Sequence, residues 1–164
     1  MQIKKRYSHV ILTIFSIILL AGFLYFGMQP QIAEANSSLI LEAPSISLTS
    51  PIRVIELNSD YTLTSPDHIA GLYQAAKNNT FIIGHSSTIF SNLKNLKPND
   101  YLILDGKTYL VKTYVIQKKS EISMSKVLEA KLIPTLTLMT CHGEKIAKND
   151  YTERIIITAE LTSD

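Results

Sequence analysis

Tyr101-Leu102-Ile103-Leu104-Asp105-Gly106-Lys107-Thr108-Tyr109-Leu110-Val111-Lys112-Thr113-Tyr114-Val115-Ile116 decides the fold class of this chain. Asp-Gly between apolar runs is a strong hairpin signal, because a tight two-residue turn needs positive φ at both central positions. Residues 101–104 therefore form a strand after a turn at Asn99-Asp100. Residues 108–116 form its return strand, dense in Tyr, Val and Thr, which suit a pleated, half-buried surface.

Working outward, Phe81-Ile82-Ile83-Gly84 reads as a short buried strand. Ile46 to Thr49 and Ile52 to Val54 read as a first strand pair broken at Pro51, which cannot donate to a ladder. Ser65-Pro66 predicts a helix start, with Ser as N-cap, Pro at the first helical position and Asp67 in the first turn. Ile69, Leu72, Tyr73 and Ala76 fall at helical spacing behind it, and Asn78-Asn79 ends it. Downstream, residues 117–134 hold one short helix over 124–131. Residues 135–140 and 154–161 are the last strands, joined by a polar loop over 142–152. The charged side chains Lys118, Lys119, Glu121, Lys126, Glu129 and Lys131 read as a solvated face. There is no internal repeat. The fold class is mainly β: a closed antiparallel or mixed barrel of about eight strands with one or two short helices, closure removing the exposed edges.

Residues 10–28 are almost all apolar and uncharged. At about 1.5 Å per residue they reach across the roughly 30 Å hydrocarbon core of a bilayer. Lys4, Lys5 and Arg6 precede them and no basic residue follows until Arg53. The positive-inside rule puts residues 1–9 in the cytoplasm as a basic tail and the rest outside. The expectation is a single-pass signal-anchor at 10–28, a linker at 29–44 and a catalytic barrel at 45–164. Ala33-Glu34-Ala35 supplies the competing reading, a cleaved signal peptide. The apolar run is longer than the usual h-region and that site lies well beyond it. No second apolar run occurs near the C-terminus.

The 164 residues are 46% apolar with a net charge of +2, too mild for nucleic acid, and no Arg-rich stripe carries interleaved aromatics. One cysteine excludes an internal disulfide. No Cys/His cluster has zinc-ligand spacing, so no metal or cofactor is expected. His142 adjoins Cys141, but neighbours on a strand point to opposite faces and make a poor metal pair.

Three residues have chemical promise. Cys141 ends an alternating run, Thr135-Leu136-Thr137-Leu138-Met139-Thr140-Cys141, at a barrel rim where a thiol is accessible. His85 follows Gly84, which permits a turn or bulge that re-aims the next side chain. Arg154 begins the run Ile155-Ile156-Ile157. Taken singly, these read as a small buried hydrophobe, a surface histidine and a solvated arginine. Together a thiol, an imidazole and a guanidinium are the parts of a cysteine acyl-transfer site. His9 and His68 have no such context.

Leu138-Met139-Thr140-Cys141 resembles the L-x-T-C strand of the sortases, the transpeptidases that attach proteins to bacterial cell walls or pili. Phe81 to Ser87 resembles their strand and following histidine, and Arg154 has the position of their arginine. Lys97-Pro98-Asn99-Asp100 and the hairpin after it are similar to their central hairpin. The resemblance runs from about Pro44 to Leu161. It implies a sortase-like barrel on the outside of a Gram-positive cell, with Cys141, His85 and Arg154 catalytic and Thr140 and Leu138 binding substrate. The implied reaction cleaves a C-terminal LPXTG-like sorting signal on a secreted protein through a thioester. The protein then passes to an amine nucleophile, a cell-wall precursor or a pilin lysine. Residues 117–134 correspond to the loop that contacts the signal; lacking a dense acidic cluster, they do not imply calcium activation. A different class of function is a catalytically idle extracytoplasmic β-barrel that presents a binding surface. The complete Cys141, His85 and Arg154 set separates the two. A papain-type peptidase would want its cysteine at a helix N-terminus.

Overall fold

The computed structural model describes residues 39–148 and 150–162. The expected basic tail, the apolar segment 10–28 and the linker up to residue 38 lie outside these. Among the described residues no helix is long and apolar enough to cross a membrane.

The hairpin forms as the sequence dictates. β5 (Tyr101–Leu104) and β6 (Lys107–Lys118) pair antiparallel around Asp105 and Gly106, at φ 52° and 73°. The other strands are β1 (Ile40–Ala43), β2 (Leu48–Val54), β3 (Ala70–Ala76), β4 (Asn79–Ile83), β7 (Thr135–Ala147) and β8 (Asp150–Leu161). They close into a barrel in the order β1-β2-β3-β4-β7-β8-β6-β5. All neighbours are antiparallel except β2–β3 and β4–β7, which are parallel. One short helix, α1 (Met124–Val127), lies between β6 and β7 and is half the length expected.

Four expectations are corrected. The helix predicted behind Ser65-Pro66 is strand β3. Gly71 sits at its centre, and a Cβ there would lie 2.8 Å from Pro66 Cδ and 3.0 Å from Ile55 Cδ1. Pairing with β2 and β4 outweighs an apolar spacing that merely suits a helix. Asn78, read as a helix stop, takes φ 59° in the tight β3–β4 turn. Secondly, β1 occupies part of the expected linker and pairs with both β2 and β5.

Thirdly, β2 runs straight through Pro51. Ile52 N donates to Leu39 O on the β1 side, so the proline nitrogen faces β3. The β2–β3 ladder starts only at Ile52, and the buried Ser50 Oγ accepts from Ala70 N at 3.0 Å before it. Fourthly, the polar segment 142–152 is mostly strand. β7 and β8 continue as a hairpin with irregular register beyond His142. Gly143, at φ 79°, serves that irregularity; a Cβ there would collide with Thr152 Oγ1. Ladder hydrogen bonds do not need apolar side chains, so polarity alone concealed these strands.

Inward residues of every strand fill the barrel, among them Leu41, Leu72, Ile82, Leu102, Leu136 and Ile157. Phe90, Leu93 and Leu96, from the β4–β5 connection, complete this core. Asn79 is fully buried and fully used. Its amide donates to Val127 O at 2.9 Å and Glu129 O at 2.8 Å, and its Oδ1 accepts from Thr137 Oγ1 at 2.9 Å. The segment after α1 is thereby fastened to the barrel wall. Asn79→Ala leaves the buried Thr137 hydroxyl and two part-buried carbonyls without their partner. It should cost about 3 kcal/mol in urea unfolding, whereas a loss below about 0.5 kcal/mol would mean the segment is held by other contacts.

Candidate active site

The parallel pairing of β4 with β7 reaches Ile83 opposite Met139. The buried Thr140 then donates through Oγ1 to Gly84 O at 2.7 Å, extending the contact one residue past β4. His85 and Cys141 come next on each chain. Gly84 is required by packing: a Cβ would meet Phe90 Cδ2 at 2.7 Å and Ile89 Cγ2 at 2.8 Å. His85 O accepts from Thr88 N and from Phe90 N at 3.2 and 3.0 Å, which turns the chain away from the sheet. On the other side of β7, Cys141 is directly opposite Arg154 of β8. Opposed residues of an antiparallel pair share a face, so thiol and guanidinium project to the same side.

Arg154 is nearly buried, with 13% of its side chain exposed. Nη1 donates to Tyr151 O at 2.9 Å and Glu153 O at 2.8 Å, and Nη2 to Asp150 Oδ1 at 3.2 Å. A guanidinium carries five N–H donors, so two remain for another acceptor. Asp150 is held in turn by Lys119 Nζ, 2.9 Å from both carboxylate oxygens. Lys119, expected on a solvated face, is instead part of the site's charge network. A cleft of about 270 Å³ opens at this rim, lined by Phe90, Lys94, Thr140, Cys141, His142 and Tyr151 among others; neither His85 nor Arg154 lines it.

Burial pushes the Cys141 thiol above its ordinary range; Arg154 pulls it down, Asp150 pushes it up and Lys119 pulls it down, with burial prevailing. Hydrogen bonds from Lys119 and then from Arg154 hold the Asp150 carboxyl below the usual carboxylate range. The guanidinium is therefore paired with a charged carboxylate at neutral pH.

His85 stands at the end of β4, and its Nε2 lies 3.9 Å from Asp67 Oδ1. Thr88 Oγ1 donates to Asp67 O at 2.7 Å, fixing the β2–β3 connection beside the histidine. Among the described residues no hydrogen bond joins the imidazole to Cys141. Catalytic pairs in unliganded sites are often open and tighten only with substrate.

Both residues expected to bind substrate are buried. Leu138 has no accessible surface and belongs to the barrel core. Thr140 is 3% exposed, and its hydroxyl, committed to Gly84 O, ties β7 to the chain after β4. His142 projects away from Cys141, its Nε2 3.9 Å from Oε2 of its register partner Glu153. Among the described residues no group of three or more His, Cys, Asp or Glu side chains is placed to hold a metal. Asp150, Lys119 and Asp67 escaped the sequence reading. Only Asp150 left a trace there, four residues before Arg154 and so on the same face of a strand.

The Sortase domain family model matches residues 41–162. Among solved structures, sortase A of Listeria monocytogenes is 18% identical with a TM-score of 0.58, covering 77% of this chain and 87% of that one. Sortase C1 of Streptococcus agalactiae is 18% identical at a TM-score of 0.60, covering 86% and 75%. Sortase A of Corynebacterium diphtheriae is 23% identical at 0.57, covering 82% and 64%. At these identities the structures report the fold alone. Comparison with curated proteins finds no significant match.

The charges around the thiol give a signed expectation. Iodoacetamide alkylation of Cys141, the chain's only thiol, should titrate above the roughly 8.5 of free cysteine. Arg154→Ala and Lys119→Met each remove a cation and should move the midpoint higher still. A midpoint unchanged in both variants would remove these groups from the thiol's surroundings.

Proposed function

The chain belongs to the sortase family of cysteine transpeptidases, and from that premise we propose that it is a membrane-anchored sortase acting on the outer face of the cell. The observation that supports the reading is the register: Cys141 lies opposite Arg154 on β7–β8, and the β4–β7 pairing, extended by Thr140 on Gly84 O, aligns the segments that lead into His85 and Cys141. Residues 10–28 anchor the chain, with the N-terminus cytoplasmic and the barrel outside.

The substrate is a secreted protein with a C-terminal LPXTG-like sorting signal. The Cys141 thiolate attacks the scissile carbonyl, and a tetrahedral oxyanion forms. The two free N–H groups of Arg154 donate to that oxyanion and to the substrate backbone. Collapse breaks the peptide bond; imidazolium His85 gives its proton to the leaving amine, leaving a thioester on Cys141. An incoming amine, from a cell-wall precursor or a pilin lysine, loses a proton to His85 and attacks the thioester. The new amide forms and the thiolate departs, restoring the starting charges.

Because burial raises the thiol pKa, the reactive thiolate–imidazolium pair is a minor population in the resting site. The reaction needs a thiolate and an acid for the leaving amine at once, so activity against pH should be bell-shaped. A monotonic profile would rule that form out as the reacting one.

The full chain in detergent, mixed with a panel of LPXTG-like peptides, tests the whole reading by intact mass. An acyl adduct on the wild type and none on Cys141→Ala is the expected result. No adduct with any peptide, from a folded chain whose thiol still alkylates, would favour the idle binding barrel. Arg154→Ala should slow acylation on the order of 10²–10³-fold, as loss of an oxyanion donor does. Arg154→Lys should recover little, since a point charge does not replace a planar fork. Wild-type rates in Arg154→Ala would take the arginine out of the site.

A further inference from the structure

The guanidinium of Arg154 is not placed by its own strand alone. Asp150 Oδ1 takes Nη2 at 3.2 Å, and the same carboxylate is gripped through both oxygens by Lys119 Nζ at 2.9 Å. Lys119 stands directly after β6, in the single 3₁₀ turn Lys119–Glu121 that begins the β6–β7 connection. Asp150 is the first residue of β8, opposite Ala147 near the far end of the β7–β8 hairpin. The carboxylate thus joins three things: the hairpin end, the start of the β6–β7 connection, and the arginine facing Cys141.

We propose that Asp150, braced by Lys119, is a positioning residue for Arg154, fixing where its two free N–H groups point and tying that placement to the β6–β7 connection. This rests on the reading of Arg154 as the oxyanion donor. The backbone acceptors Tyr151 O and Glu153 O both take Nη1, so they hold one terminal nitrogen of the guanidinium. The Asp150 contact holds the other, so the planar group is fixed at both terminal nitrogens. A carboxylate is a poor neighbour for a thiol that must ionise, since it pushes Cys141 up; Lys119, which pulls the thiol down, offsets it. The charged groups acting on the thiol are then Arg154 and Asp150 from β8 and Lys119 from the β6 end. His142 and Glu153 pair on the opposite face of the hairpin.

The test uses the full chain in detergent and p-nitrophenyl acetate, an activated ester that acylates a thiol through an oxyanion without any sorting signal. Cys141→Ala supplies the blank. A displaced catalytic group costs up to about 10²-fold, so Asp150→Ala should slow acylation between about tenfold and that limit. Asp150→Asn keeps an oxygen for Nη2 and should recover most of the rate. In an Arg154→Ala background Asp150→Ala should add nothing, because it acts through the arginine. Wild-type acylation by Asp150→Ala would overturn the proposal. An equal loss with and without Arg154 would overturn it too, by showing a structural role only. Failure to process any sorting peptide would instead contradict the proposed function and leave this comparison standing.

Discussion

β4 and β7 run parallel with Ile83 beside Met139, and the buried Thr140 hydroxyl carries that alignment one residue further by donating to Gly84 O at 2.7 Å. Everything at this rim depends on it. A parallel pair requires a long crossover, here the chain from Gly84 through β5 and β6 to Pro134, so two segments far apart in sequence are locked side by side. A slip of one residue would send every side chain of a strand to the opposite face. Cys141 would then leave the face it shares with Arg154, and Leu136 and Leu138 would leave the core. The apolar core therefore enforces the register that the chemistry uses.

The antiparallel neighbour adds the second constraint. With Cys141 opposite Arg154, the thiol is in reach of a cation that cannot be discharged. Yet it sits where burial works against ionisation. The result is a thiol whose ionisation is opposed by burial and favoured by the arginine, with burial prevailing. The arginine is fixed at one nitrogen by backbone carbonyls and at another by Asp150, a donor array already ordered before an oxyanion forms. Preorganised donors of this kind need no reorganisation at the moment of reaction.

The barrel was legible in the sequence wherever a local signal and the final pairing agreed. Asp105-Gly106 dictates its turn through positive φ, and the apolar run Phe81 to Ile83 is a strand buried on both faces. The sequence misled at residues 69–76, where helical spacing of Ile69, Leu72, Tyr73 and Ala76 competed with the partners supplied by β2 and β4. Gly71, tight against Pro66 and Ile55, was the residue that spoke for the strand. The β7–β8 extension was hidden because solvated strands carry no apolar alternation. Cys141, His85 and Arg154 were singled out in the sequence as a set. Asp150 and Lys119 were not, since their meaning lies in a contact across 31 positions of sequence that no local pattern encodes. Leu138 and Thr140 adjoin Cys141 in sequence, and inward alternation and a buried hydroxyl put them in the barrel wall.

The most direct test is a structure of the chain with a sorting-peptide analogue disulfide-linked to Cys141. The account predicts the carbonyl oxygen nearest the sulfur within about 2.7–3.1 Å of an Arg154 N–H, with Asp150 still on the guanidinium and His85 facing the departing side. An arginine turned away from that oxygen, in a complex whose β4–β7 register is unchanged, would contradict it.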